Sequence, residues 1–533
     1  MMKQATVFYA QKKHPVRFLM LLLALFFTHV SAKAQQYYNV LNYGAKNDSS
    51  KIATKAIENA IAAASKAGGG TVYFPAGKYL TAPIHLRSNI TILIDAGAVL
   101  NFSDNFDDYL PMVPSRFEGT NVASFSPLFY AYKAENISIK GRGIIDGHGK
   151  KWWDFMYKQR VKGAPRSKWQ EEFAQNNKNV IRPDEPEMID MGFLRPPFIQ
   201  PMYCKNVLVE GITIRNSPFW TVNPEFCENV TVTGVTINNP LSPNTDGINP
   251  ESCKYVHISN CHISVGDDCI TIKSGKDIDG RLQNVPAENY TITNCTMLSG
   301  HGGVVIGSEM SGGVKKIVIS NCVFDGTERG IRIKTARGRG NVVEDIRVDN
   351  IVMKNIGREA LLMDMEYSKS KPEPISERTP AFKNVHFSNI TGTQIKTAIY
   401  LNGLEEMPID GVTFNDIQLD AQAGALIKNS KNIEFHQVAI NTKSGSAFSA
   451  ENVQRLEIDG VKNASPVNGT PLISLNNVQD VFVHNCWPLA GSAVFMQLKG
   501  AKTKSITFKA NNFKNVPQVI DKDSSVTEKI TVE

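Results

Sequence analysis

From Lys205 onward the chain repeats a short motif in which apolar and polar positions alternate. KNVLVEGITI (Lys205–Ile214) is followed by ENVTVTGVTI (Glu228–Ile237), KYVHISNCHI (Lys254–Ile263) and ENYTITNCTM (Glu288–Met297). KKIVISNCVF (Lys315–Phe324) and EDIRVDNIVM (Glu344–Met353) continue the series, and further copies begin at Lys383, Asp410, Lys431, Gln454, Gln479 and Lys504. Weaker copies begin near Ser88 and Glu135. In each copy Val, Ile and Thr alternate with polar residues, which is the period of a β-strand. A second short apolar run follows: Gly247–Asn249, Cys269–Lys273, Gly303–Ile306, Gly330–Lys334, Ala360–Met363 and Ala398–Leu401. Between the runs lie Gly, Asn, Ser and Asp, the turn formers.

No helical period separates the strands, which disfavours βαβ units and a TIM barrel. A leucine-rich array would need a fixed leucine spacing that is absent. Two or three short strands per turn of roughly 25 residues describe a coil that stacks on its neighbours. The expected architecture is all-β, a right-handed parallel β-helix solenoid. Asn260, Asn294, Asn321 and Asn350 hold one repeat position and are expected to stack as a ladder.

A solenoid end exposes its core and needs a cap. Ser50–Ala67 supplies a helix, with Ile52, Ala56, Ile57, Ala60, Ile61 and Ala64 on one face and Gly68-Gly69-Gly70 ending it. Thr71–Thr81 then opens the first coil. The period breaks between Glu135 and Lys205, where about 45 extra residues include Trp152, Trp153 and Trp169. This insertion, at about 148–198, is expected off the solenoid on its binding face, and a short helix fits within it.

The 533 residues would suggest several domains for an ordinary fold, but one stacked domain over 35–533 fits a repeat. The net charge of +7 suits an acidic polymer. With no Lys/Arg run interleaved with aromatics, nucleic acid is not an expected partner. Lys3, Lys12, Lys13 and Arg17 precede the apolar run Phe18–Phe27, and Ala32-Lys33-Ala34 follows. Residues 1–34 therefore read as a signal peptide, exporting the mature chain to the periplasm or the medium. The run is short for a membrane span, and no other stretch reads as one. Eight cysteines (204, 227, 253, 261, 269, 295, 322 and 486) permit disulfides in an exported protein. Their spacing follows the repeat, and small side chains stacked in the core fit equally well.

Aligning the second strands places Asp246-Gly247-Ile248-Asn249 against Asp268-Cys269-Ile270-Thr271, then Gly302-Gly303-Val304-Val305, then Arg329-Gly330-Ile331-Arg332. Asp246 and Asp268 then share a position on adjacent coils, and His301 aligns with Asp267. Coils about 4.8 Å apart crowd these groups together. Alternation points Ile248, Ile270, Ile331 and Ile333 inward and puts Arg332 and Lys334 outward beside the acids, two coils or roughly 10 Å from Asp268. Single acids in loops commonly cap turns, and outward Arg and Lys commonly serve only solvation. The conjunction on consecutive coils is what suggests chemistry. Close acids raise one pKa, giving the protonated carboxyl that a glycosidic oxygen needs. Ionised neighbours can activate water or attack. An Arg fork and a Lys charge fit an acidic sugar.

These residues are the ones on which the chain resembles the polygalacturonase family, glycoside hydrolase family 28. Four motifs stand in order: Asn244-Thr245-Asp246-Gly247, Gly266-Asp267-Asp268-Cys269, Gly300-His301-Gly302 and Arg332-Ile333-Lys334. Met297–Ser308, MLSGHGGVVIGS, fits the longer signature around the histidine. The resemblance implies a pectin hydrolase with Asp267 as general acid and Asp246 and Asp268 activating water. His301 would support the acid, Arg332 and Lys334 would hold a galacturonate carboxylate, and Asn244 would lie near the substrate. No metal or organic cofactor is implied. The family also has a functional tyrosine after the basic motif; Tyr367 stands at a plausible distance in surroundings that do not match. Family likeness implies inversion, whereas carboxylates one rung apart would favour retention by the separation rule. Trp152–Pro197 resembles the added segment of bacterial exo-acting members, which narrows one end of the cleft.

The expected reaction is hydrolysis of α-1,4-galacturonosyl linkages at the ends of pectic chains, in plant cell-wall polysaccharide or oligogalacturonides. Rival readings are a hydrolase of rhamnogalacturonan or xylogalacturonan, a Ca²⁺-dependent pectate lyase, and a non-catalytic glycan-binding β-helix. Product length, ester tolerance and oligomeric state are not legible in the sequence.

Overall fold

A computed structural model describes residues 36–532 apart from 181–193, 369, 462–465, 489–490 and 529. The proposed signal peptide and part of the insertion lie outside the described residues. One sheet of 29 strands runs through the molecule, and every recorded pairing between its strands is parallel. Among the described residues only a side hairpin, Val113–Phe117 with Thr120–Ser124, is antiparallel.

Stacking is in register because each coil places an apolar residue on the one below. Val207 pairs with Val230, Val230 with Val256, Val256 with Tyr290 and Tyr290 with Ile317. The column continues through Ile346, Val385 and Val412. All are buried. A one-residue slip would turn every such side chain to solvent, so the alternation fixes the register. Further along, Phe387, Phe414 and Phe435 stack face to face at 5.2 and 4.9 Å. In the later coils the strands bend without breaking, so that Ile409–Asp459 is one continuous strand.

The cap differs in detail from the expectation. The helix spans Thr54–Lys66 and buries Ala56, Ile57, Ala60, Ile61 and Ala64. Ile52 instead ends the strand Asp48–Ile52 and is exposed. The stacking also begins earlier than Thr71, because Tyr37–Asn39 pairs with Thr71–Tyr73. The strand, DSSKI, carries a single apolar residue, too few to show alternation ahead of the helix that follows it.

The asparagine ladder is real but is best formed at another repeat position. Asn350 donates to Asn321 at 2.7 Å, while Asn321 and Asn260 turn to Thr293 and Ser259. A longer ladder runs from Asn229 to Asn206, Asn136 and Asn89 at 2.7, 2.7 and 2.8 Å. All these residues have left-handed backbone, which asparagine tolerates better than most. The eight cysteines are free and buried. They too follow the stack, with the Cys204 amide on Cys227 Sγ at 3.4 Å and the Cys227 amide on Cys253 Sγ at 3.3 Å.

The insertion contains two helices, Lys150–Gln159 and Lys168–Asn176. Trp152 is fully buried and stacks on Phe106 at 4.0 Å. A further helix, Asp277–Gln283, leaves the stack after the strand Asp268–Ile272.

Candidate active site

The expected register holds. Asp268 pairs with Gly302, Ile270 with Val304 and Val304 with Ile331, while Ile248 bridges to Ile270. Ile248, Ile270, Ile331 and Ile333 are buried in the core. Adjacent coils therefore deliver Asp246, Asp267 and Asp268 to one place, with one carboxylate oxygen from each within 4.8 Å of the others.

Each acid has its own surroundings. Asp246 Oδ2 accepts from Thr271 Oγ1 at 3.1 Å and Asn249 Nδ2 at 3.4 Å. Asp267 Oδ1 accepts from the Asp268 amide at 2.9 Å and pairs with His301 Nδ1 at 3.1 Å. The His301 amide donates to the Asp267 carbonyl at 2.8 Å, so backbone stacking fixes the imidazole beside its partner. Asp268 is met by Lys334 Nζ at 2.9 Å and Arg332 Nη1 at 3.4 Å.

That last contact corrects the roughly 10 Å expected from coil spacing. The backbones are two coils apart, but the long side chains of Arg332 and Lys334 lie back along the stack to reach the Asp268 carboxylate. The ring of Tyr367 sits over both, 5.6 Å from the Arg332 guanidinium and 5.1 Å from Lys334 Nζ. The position of Tyr367 after the basic motif was the only sequence signal for this.

Charge is divided unequally. Burial, reinforced by the Asp267 carboxylate, pushes Asp246 well above the ordinary carboxylate range. Burial also works to raise Asp267, but the hydrogen bond and charge of His301, with Lys334 and Lys273, outweigh it and hold the group low. The bond to Asp267 raises His301 against its own partial burial. The crowding that their spacing suggested thus falls on Asp246, whose acid form is favoured, while Asp267 is held towards its ionised form.

Asn244, the three acids and Lys334 line one cleft of about 530 Å³, together with Trp220, Lys273, Glu309, Glu118 and Tyr367. His301 and Arg332 connect to it through Asp267 and Asp268. The Asn244 side chain is fixed by Arg195, which donates to its Oδ1 at 2.9 Å and to the Pro243 carbonyl at 2.6 Å. Lys273 was not singled out in the sequence, although alternation after Thr271 turns it outward. It is clamped by Glu309 at 2.7 Å over the Trp220 ring. By distance alone the three carboxylates could hold a cation, but Lys334 already stands against Asp268.

Two family profiles match the chain: Glycosyl hydrolases family 28 over residues 188–461, and Rhamnogalacturonase A/epimerase, pectate lyase-like, over 37–177. A probable polygalacturonase of Vitis vinifera is 30% identical over 416 residues, 76% of this chain and 78% of that protein. An endo-polygalacturonase of Pectobacterium carotovorum subsp. carotovorum is 30% identical over 399 residues, 72% of this chain and 88% of that protein. Among solved structures, a hyperthermoactive exopolygalacturonase from Thermotoga maritima superposes with a TM-score of 0.69 at 34% identity, covering 77% of this chain and 93% of its own.

Proposed function

Since the chain belongs to glycosyl hydrolases family 28 and is a glycoside hydrolase of polygalacturonase type, we propose that it cleaves α-1,4-galacturonosyl linkages at the ends of pectic chains with inversion. The observation that carries this reading is the meeting of the acid cluster with Lys334 and Arg332 at the cleft. A galacturonate carboxylate is the group that such a lysine and arginine fork would receive.

In this reading Asp267 protonates the glycosidic oxygen and Asp246 with Asp268 activates water. Asp267 starts as the ionised partner of His301, so it must first gain a proton. Asp246, whose acid form is favoured and which shares the cluster, is the source in this reading. Transfer from Asp246 to Asp267 leaves Asp267 protonated to donate and Asp246 ionised to accept a proton from water, the division that acid–base hydrolysis needs. Asn244 borders the substrate, and His301 holds Asp267. The close carboxylates favour retention by separation alone; proton NMR of the first-formed anomer decides, with the inverted anomer expected.

The Thermotoga likeness supports the exo reading, for which the insertion at about 148–198 was the sequence signal. The N-terminal sequence supports export through residues 1–34, ahead of one β-helix domain at 35–533. Among the described residues no helix is long and apolar enough to cross a membrane.

The test is digestion of de-esterified polygalacturonate with and without EDTA, following reducing ends and product size, with Asp267→Asn as control. Small saturated products, insensitive to EDTA and lost in the variant, are expected. An unsaturated product absorbing in the ultraviolet would point to a lyase. The rhamnogalacturonase-type match over 37–177 favours a second reading, cleavage of rhamnogalacturonan; release from that polymer but not from polygalacturonate would establish it.

A further inference from the structure

We infer that the hairpin Val113–Ser124 is the end stop of the cleft, closing it on the Asp246 side so that a polyuronate chain continues only past Arg332 and Lys334. The inference rests on the exo reading and names the element that imposes it. The described residues of the insertion at 148–198 do not line the cleft; its Asn177 braces the hairpin from behind.

The hairpin tip is in the cleft. Glu118 and Gly119 form a two-residue turn, both with positive φ (42° and 79°), and Glu118 lines the cavity. Across from it lies Lys276, whose amide donates to the Gly119 carbonyl at 3.5 Å and whose ammonium is 3.9 Å from Glu118. The approach is so close that a Cβ at Gly119 would meet the Lys276 nitrogen at 2.6 Å. The tip thus spans from the early coils to the loop after the strand that carries Asp268.

The wall is anchored, not a loose loop. Arg116, with no exposed side-chain surface, pairs with Glu251, with Glu225 at 3.6 Å and with Asp279 at 3.1 Å. Phe117 stacks on Phe219 at 5.4 Å, and Ser115 donates to Gln200 at 2.7 Å. From the insertion, Asn177 grips the Ala123 backbone at both its amide and its carbonyl.

Position gives the wall its direction. Phe219 and Trp220 precede Thr221, whose amide donates to the Asp246 carbonyl, so the base of the hairpin, where Phe117 stacks on Phe219, stands over the coil before the acids. Arg332 and Lys334 enter from the coils after them. Wall and cations therefore flank the acids along the solenoid axis.

The experiment compares the wild type, a variant with residues 113–124 replaced by a short Gly/Ser link, and the point variant Glu118→Ala at the half-buried turn. Viscosity loss per bond cut and product size are measured on polygalacturonate, with melting curves to confirm folding. Mono- or digalacturonate from the wild type tests the exo reading on its own. The stop is supported if the link variant then gives a ladder of oligomers and a several-fold larger viscosity loss per bond cut. If the link variant does not fold, Glu118→Ala decides through a shift towards longer products. A folded variant with an unchanged product profile overturns the stop while leaving the exo reading intact. A wild type that yields long oligomers from the start overturns both.

Discussion

Lys334 Nζ lies 2.9 Å from Asp268 Oδ2 even though two coils separate their backbones. The pair joins the cation that would receive a uronate to one of the acids proposed to activate water. Lys334→Met removes the charge and leaves Asp268 with Arg332 alone. Loss of one preorganised charge of this kind costs about 10²–10³ in rate. The expected outcome is a fall of that order in kcat/KM on polygalacturonate, with Lys334→Arg recovering only part of it, since its planar fork replaces a point charge.

Asp267→Asn keeps the shape and removes the acid. General acid catalysis contributes about 10²–10⁴-fold. Steady-state assays should show that loss in kcat, with an unchanged melting curve. Near-full activity in this variant would transfer the proton donor to Asp246, the acid that burial pushes upward.

Most of this site was legible because a parallel solenoid turns sequence spacing into distance. Once the copies are aligned, Asp246, Asp268 and His301 fall on neighbouring coils, and the pairing of Asp268 with Gly302 follows the same register. What alignment cannot supply is the reach of a long side chain back along the stack, so the contact of Lys334 with Asp268 was misjudged. It also says nothing of segments that leave the stack. Glu118 and Lys276 come from a hairpin and a loop without the repeat's alternation, and their meeting depends on tertiary anchors such as Arg116.

The pairing of His301 with Asp267 makes stability depend on pH from both sides. His301 is raised above its ordinary 6.5, so its contribution is fully present below that value and is lost as pH rises through the higher folded value. Asp267 is lowered from 3.8, so its contribution is present above that value and is lost as pH falls through the lower folded one. Melting temperatures of wild type and His301→Gln should differ most between these limits and converge at either extreme. The difference should be small, because the His301 side chain is half exposed.

All eight cysteines are buried as thiols. Burial pushes Cys227 and Cys269 well above the ordinary thiol range. Thiol titration of the unfolded protein should count eight, and the native protein should react far more slowly. Reductant should leave the melting temperature unchanged; a drop on reduction would reveal a bridge.

Arg116 is the place where the fold should be most sensitive to loss of a charge. Its guanidinium is buried between Glu225 and Glu251, with side-chain exposures of 0% for all three. Burial raises both glutamates, and each leaves one Oε2 without a hydrogen bond. Removing one partner of a buried ion pair costs about 3–5 kcal/mol, because the remaining charge is stranded. Arg116→Met should therefore lower the melting temperature clearly. Arg116→Met combined with Glu225→Gln and Glu251→Gln leaves no stranded charge and should regain much of the loss. If the single and triple variants melt together, the cost lies in the lost packing of the guanidinium over the Phe226 ring at 4.9 Å and not in the glutamates. If the single variant melts like the wild type, the ion cluster does not anchor the hairpin at all.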